Sequence, residues 1–216
     1  MYKNTIIWDW NGTLLDDVDI CVRVINELLT KRGLPFLSKE RYREIFTFPV
    51  KDYYKKAGFD FEKEPFNILA DEFIITYYKK LLKAELFDDV IEILNYFKTK
   101  GFRQIILSAM EHNALIKVLK HFNIYHYFYE VYGIDDHHAN GKMGNALRII
   151  NKHKLNNEQI FLIGDTLHDF EIGEKLNLQT FLISKGHQSK ERLLQKCNNV
   201  YDNLFEIKQI YLNNTM

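Results

Sequence analysis

Five side chains in this sequence are of types that act together in phosphate chemistry, and three of them directly follow a short apolar run. Asp9 follows Ile6-Ile7-Trp8, Ser108 follows Ile105-Ile106-Leu107, and Asp165 follows Phe161-Leu162-Ile163-Gly164, with Asp169 one helical turn further on. Lys142 lies in the polar stretch Ala139-Asn140-Gly141-Lys142, ahead of a helical pattern that begins near Gly144. Two or three carboxylates bind a hard divalent cation through oxygen, as Mg2+ prefers. A hydroxyl and an ammonium can hold the non-bridging oxygens of a phosphoryl group. One carboxylate can then attack phosphorus, giving an aspartyl-phosphate that water cleaves. Backbone N–H groups around Asn11-Gly12-Thr13 add donors, and the glycine permits close approach. Each residue alone has an ordinary explanation: a turn-capping Asp, a structural Ser, a solvated Lys. The four stations together, in consistent positions, point to a site.

Short continuous apolar runs that stop at polar or glycine residues predict the elements that must hold these side chains, since strands buried on both faces read this way. The runs are Thr5–Trp8, Gln104–Leu107, Gln159–Ile163 and Gln179–Ile183, with a weaker fifth at Tyr129–Tyr132. Helical periodicity fills the intervals. Val90, Ile91, Leu94 and Phe97 share one face, with Asp88 as N-cap and Gly101 as stop, and further helices are expected near 113–122, 144–154, 169–176 and 190–196. This alternation predicts an α/β fold with a Rossmann-like parallel sheet, in which sites form outside the carboxyl ends of the strands. Residues 17–84 break the rhythm with helical patterns alone: Asp17–Arg32, Ser38–Phe46, Val50–Ala57 and Glu64–Lys83. They read as a helical insertion, leaving 1–16 and 85–216 as the core. A helical front end packed on the same core fits the pattern too.

The totals narrow the class. The 216 residues are 46% hydrophobic and 27% charged, as in an ordinary globular chain, and 3 prolines with 10 glycines exclude a Pro/Gly-rich linker. Lys plus Arg and Asp plus Glu both number 29, so the basic excess usual for a nucleic-acid partner is missing. Cys21 and Cys197 have no CxxC spacing and read as buried thiols in a reducing compartment. The amino terminus lacks the apolar run of a signal peptide, and no stretch approaches the roughly 20 apolar residues of a membrane span. A cytoplasmic protein, monomeric or a small homo-oligomer, is expected.

In order and spacing the chain resembles the haloacid dehalogenase-like (HAD) hydrolase superfamily, specifically the phosphoglycolate-phosphatase-like group with a helical cap. The family's DxDGT is Asp9-Trp10-Asn11-Gly12-Thr13 here, its strand-terminal Ser or Thr is Ser108, its Lys is Lys142, and its GDxxxD is Gly164–Asp169. No Pro follows Lys142. The resemblance implies Mg2+-dependent phosphoryl transfer from a small phosphorylated metabolite through Asp9. It implies a metal held by Asp9, the Asn11 carbonyl, Asp165 and Asp169, and phosphate contacts from Asn11, Gly12, Ser108 and Lys142. It also implies a cap over residues 17–84 that closes over the site.

Asn11 departs from the family's second Asp, which protonates the leaving oxygen and then deprotonates water. An amide donates a hydrogen bond but hands over no proton at neutral pH, and losing a general acid typically costs about 10²–10⁴ in rate. Substrates with better leaving groups, such as acyl or aryl phosphates, depend on that proton least. Either a phosphomutase or phosphotransferase, or a weakly active phosphate-binding protein, would also accommodate Asn11. His112 and His168 are candidate substitutes for the missing acid, although each also suits a helix start. Asp135–His138 looks like a metal-ligand run but reads more simply as a solvated turn. Tyr53, Tyr54, Tyr77 and Tyr78 have the spacing of helix core, His187 stands where it can edge the cleft, and Ser189 suits a helix cap.

Overall fold

The computed structural model describes residues 4–134 and 141–214. The chain opens with β1 (Thr5–Trp8), turns into the two-residue strand β2 (Leu15–Asp16), then runs through α1 (Val18–Lys31), α2 (Lys39–Ile45), α3 (Val50–Ala57) and α4 (Phe66–Leu81). The short strand β3 (Glu85–Leu86) pairs antiparallel with β2, so the helical segment leaves and rejoins the chain at one place. Strand and helix then alternate: α5 (Val90–Thr99), β4 (Arg103–Glu111), α6 (His112–His121), β5 (Glu130–Ile134), α7 (Gly141–His153), β6 (Ile160–Gly164), α8 (Leu167–Lys175), β7 (Gln179–Ile183), α9 (Lys190–Leu194), β8 (Val200–Tyr201) and α10 (Leu204–Asn214).

Six strands form one parallel sheet in the order β5-β4-β1-β6-β7-β8. From β1 the chain winds outward one way through β4 and β5 and the other way through β6, β7 and β8. The carboxyl end of β1 is therefore the switch point where an open α/β sheet places its crevice. β1 is apolar on both faces because both are covered. Ile6 and Trp8 join the apolar cluster that holds Val90, Ile93, Leu94 and Phe97 of α5. Ile7 faces a second cluster with Ala146 and Ile149 of α7 and Ile172 of α8. The first cluster continues without a break into α1, α2, α3 and α4 through Leu14, Val18, Ile25, Tyr42, Tyr53, Tyr54 and Tyr77.

Several expectations shift in detail. β4 runs to Glu111, with a register irregularity between Leu107 and Glu111, so Ser108 lies inside a strand instead of ending one. α7 starts at Gly141, which puts Lys142 in its first turn and not on a preceding loop. Asp89, not Asp88, takes the N-cap position of α5, and its carboxylate accepts the Leu204 N–H at 2.7 Å, tying α10 to α5. The strands β2, β3 and β8 are too short to leave a periodic signal, and α10 lies beyond the last helix expected from sequence. Both cysteines are free and buried. Among the described residues no helix is long and apolar enough to cross a membrane. Asp135–His138 lies outside the described residues.

Candidate active site

Asp9 owes its position to the seam of the sheet. Its N–H donates to the Ile163 carbonyl at 2.8 Å, extending the β1–β6 pairing by one residue, and the residue is 6% exposed at the carboxyl end of β1. Asp165 follows β6 directly, next door, and Asp169 sits in the first turn of α8. Each of the three offers an oxygen, and these atoms lie within 4.8 Å of one another. Asp169 is fixed by a capping box: its Oδ2 accepts the Thr166 N–H at 3.1 Å, while the Thr166 hydroxyl receives the Asp169 N–H. The Lys142 ammonium bridges Asp9 Oδ1 and Asp169 Oδ1, the latter at 2.5 Å. The Thr13 hydroxyl lies 3.2 Å from Asp9 Oδ2 and 3.4 Å from Asp165 Oδ1.

Burial works against this much charge. It pushes the Asp9 carboxyl up to about 6; Lys142 pulls it down and Asp169 pushes it further up. Asp165 is raised well above the carboxylate range, again chiefly by burial, with the charges of Asp9 and Asp169 adding to it. Burial opposes ionisation of Asp169 too, but the charge and hydrogen bond of Lys142 outweigh it and hold the group low. The same two aspartates keep Lys142 charged against its own burial. Three buried carboxyl groups crowd around one ammonium, and their mutual repulsion and burial hold Asp9 and Asp165 back from ionising. A hard divalent cation with oxygen ligands fits that donor set.

The loop after β7 packs directly on Asp165. The His187 N–H donates to Asp165 Oδ2 at 2.6 Å. A Cβ on Gly186 would sit 2.1 Å from that oxygen and 2.4 Å from the Gly12 carbonyl, so only glycine allows the approach. Gly12 itself has φ +73, and a Cβ there would meet Asp165 Oδ2 at 2.3 Å and His187 Cδ2 at 2.6 Å. Its N–H is engaged by the Leu15 carbonyl at 2.9 Å and Asp17 Oδ1 at 3.0 Å.

A second buried polar cluster adjoins the first through Asn11. The Asn11 amide donates to Asp17 Oδ2 at 2.9 Å and to the Tyr77 hydroxyl at 2.7 Å, and that hydroxyl donates to Asp17 Oδ2 at 2.6 Å. His187 Nε2 lies 3.4 Å from Asp17 Oδ1, and its Nδ1 lies 2.8 Å from the Tyr42 hydroxyl. Burial lowers the imidazole's affinity for a proton, but the Asp17 carboxylate outweighs it and lifts His187 to about 9. Burial likewise opposes the Asp17 charge, and His187, Tyr77 and Asn11 hold it below the usual carboxylate range. Asp17 occupies the N-cap position of α1 but makes no side-chain cap bond there.

The remaining candidates make other contacts. Ser108 is buried, and its hydroxyl accepts the Met110 N–H at 3.1 Å. His112 opens α6, with its Nδ1 3.4 Å from the Gly133 N–H, and His168 stacks on Phe48 with ring centroids 4.7 Å apart. Tyr53 and Tyr54 pack edge to face in the aromatic core of the helical segment. Ser189 caps α9 by accepting the Arg192 N–H at 3.4 Å. Arg43 carries no mark in the sequence. Its guanidinium donates to the carbonyls of Gly186 at 2.9 Å, Gln188 at 3.0 Å and Ser184, fastening α2 to the loop that carries His187. Gln188 returns the contact by donating to the Phe46 carbonyl at 2.9 Å.

A parallel sheet with a nucleophile-type aspartate at its switch point, a lysine bridge and a GDxxxD carboxylate pair defines a class of hydrolase. The family model for haloacid dehalogenase-like hydrolases matches residues 6–183, and the chain belongs to that family. A phosphoglycolate phosphatase from Psychrobacter arcticus is 24% identical over 207 residues, covering 90% of this chain and 89% of the relative. Among solved structures, a haloacid dehalogenase-like family protein from Streptococcus pneumoniae superposes with a TM-score of 0.82 at 20% identity, over 96% of this chain and 98% of that one. A phosphatase so described from Clostridium acetobutylicum gives 0.82 at 19% identity over 99% and 100%. At these identities the structural likeness speaks for the fold.

Proposed function

We propose that this hydrolase is a Mg2+-dependent phosphatase acting on a small phosphorylated metabolite through an aspartyl-phosphate on Asp9. The observation that carries it is the buried constellation of Asp9, Lys142, Asp165 and Asp169 at the switch point. Asp9, Asp165, Asp169 and the Asn11 carbonyl would hold the cation, which supplies positive charge beside the phosphoryl oxygens. Lys142 adds a buried ammonium on the same side, and Ser108 is the candidate hydroxyl. Asp9 attacks phosphorus, the bond to the leaving oxygen breaks, and water then attacks phosphorus to release phosphate and restore the carboxylate. Residues 17–84 act as a cap that shields these steps from bulk water.

Asn11 transfers no proton, so the leaving oxygen departs without a family-type general acid. The phosphoglycolate phosphatase relative supports a small anionic substrate, and Asn11 argues for leaving groups better than an alkoxide, such as acyl or aryl oxygen. The test is a phosphate-release screen over phosphorylated metabolites with Mg2+, run beside Asp9→Asn. Turnover on at least one substrate, abolished by that change, is the expected result. Activity that survives Asp9→Asn would sink the covalent route.

A further inference from the structure

The amide at position 11 is not simply a carboxylate lost. Its neighbours dictate its polarity. Asp17 accepts hydrogen bonds and donates none, and the Tyr77 hydroxyl has spent its one proton on Asp17 at 2.6 Å. Both groups facing Asn11 are therefore acceptors, and its amide nitrogen lies 2.9 and 2.7 Å from them. The remaining polar atom of the side chain, Oδ1, can only accept. A carboxylate at this position would set oxygen against oxygen at the same distances inside a buried cluster, where Asp17 is 1% exposed.

We propose that Asn11 and Asp17 form one exchanged pair, in which Asp17 fixes Asn11 as an acceptor toward the substrate, with Tyr77 of α4 as the third member. Asp17 is a positioning residue that acts through Asn11. This rests on the phosphatase reading and deepens it, because leaving-group preference then belongs to the pair and not to Asn11 alone. Exchanging the two residues preserves the bonding. With Asp at 11 and Asn at 17, the new amide donates to position 11, and its carbonyl serves the Gly12 N–H and His187 Nε2 that now face Asp17 Oδ1 at 3.0 and 3.4 Å.

The test is a four-protein cycle of wild type, Asn11→Asp, Asp17→Asn and the double exchange. Each is assayed with Mg2+ on p-nitrophenyl phosphate and on ethyl phosphate, and each is melted. Asn11→Asp alone is expected to leave the ethyl-to-aryl rate ratio unimproved and to lower the melting temperature by about 4–10 °C. The double exchange is expected to recover most of that loss and to raise the ratio about 10²-fold, as a restored general acid does. Asn11→Asp alone raising the ratio as far as the double would overturn the proposal, as would strictly additive melting shifts. Tyr77→Phe offers a milder probe: it removes one of the two acceptors that hold the Asn11 amide nitrogen, and the ratio should rise several-fold, whereas an unchanged ratio counts against the pair. A wild type inactive on both substrates and throughout the metabolite screen would defeat the phosphatase reading, and the melting cycle would still decide the pair.

Discussion

Lys142 offers the sharpest test of how the buried charges balance. The residue is 6% exposed, and its ammonium sits between Asp9 Oδ1 and Asp169 Oδ1. Replacing it with Met keeps most of the volume and removes the charge. At an effective dielectric near 20, one contact at 2.5 Å is worth about 6–7 kcal/mol of attraction, much of it offset by the desolvation of both ions. Breaking a buried pair by removing one partner nets about 3–5 kcal/mol of destabilisation. For a chain of this length, each kcal/mol moves the melting temperature by about 2–4 °C, so Lys142→Met should melt about 6–20 °C below wild type at pH 7.5 in EDTA. The deficit should shrink toward pH 5. Asp9 already titrates at about 6 with the lysine present; without it the carboxyl rises further and takes up a proton in place of the lost partner. Mg2+ should narrow the gap at pH 7.5, because carboxylates freed from the ammonium bind the ion more tightly in the variant, and each tenfold gain in affinity over wild type recovers about 1.4 kcal/mol at saturation. Calorimetry over pH, with and without Mg2+, reads all three effects. A melting temperature within about 2 °C of wild type in EDTA at pH 7.5 would refute the charge balance drawn for the site.

Three further outcomes are expected. His187 titrates near 9 in the fold against 6.5 free, so its stabilising contribution is complete below pH 6.5 and is lost as pH rises through about 9; this amounts to about 3 kcal/mol. Urea midpoints measured across that window should fall in wild type and stay flat in His187→Gln, and an equal slope in both would remove His187 as the cause. Gly186→Ala drives a Cβ to 2.1 Å from Asp165 Oδ2, so Mg2+ affinity by titration calorimetry should drop about 10–100-fold, the usual cost of disturbing a ligand's support. Unchanged affinity would show that Asp165 does not hold the ion. Arg43→Lys should loosen the loop at 184–188 almost as much as Arg43→Ala, since one ammonium cannot reproduce a planar fork shared among three carbonyls. Hydrogen exchange of the His187 amide reads this, and full protection in the lysine variant would contradict it.

How far the sequence reveals the site depends on the kind of signal each residue leaves. Asp9 and Asp165 are legible because buried parallel strands are written as apolar runs, and the residue just past such a run stands at the sheet's carboxyl edge. Asp169 is legible from its helical offset. Lys142 is legible by type but not by place, since the apolar periodicity predicts a helix only from about Gly144, whereas α7 begins at Gly141. Asp17 is concealed by a local alternative: an Asp before a helix reads as an N-cap, and only the fold shows its carboxylate turned to Asn11 and Gly12. Tyr77 resembles its aromatic neighbours in periodicity, and long-range geometry alone separates it from Tyr53 and Tyr54. His187 does leave a trace, its position just past a strand end. Arg43 leaves none, because its partners are backbone carbonyls some 140 residues away in sequence.

The stretch from Ser184 to Gln188 touches both halves of the molecule within five residues. On one side its His187 N–H braces Asp165; on the other its carbonyls receive Arg43, and Gln188 holds the Phe46 carbonyl. An ion held by Asp165, as proposed, and the seating of α2 would thus be read by the same short strip of backbone. Linkage between two such equilibria is reciprocal: if an ion firms the strip and thereby favours the seated helices, the seated helices raise the affinity for the ion by the same factor. If substrate entry unseats them, as the cap reading implies, it would come at the expense of the ion's hold.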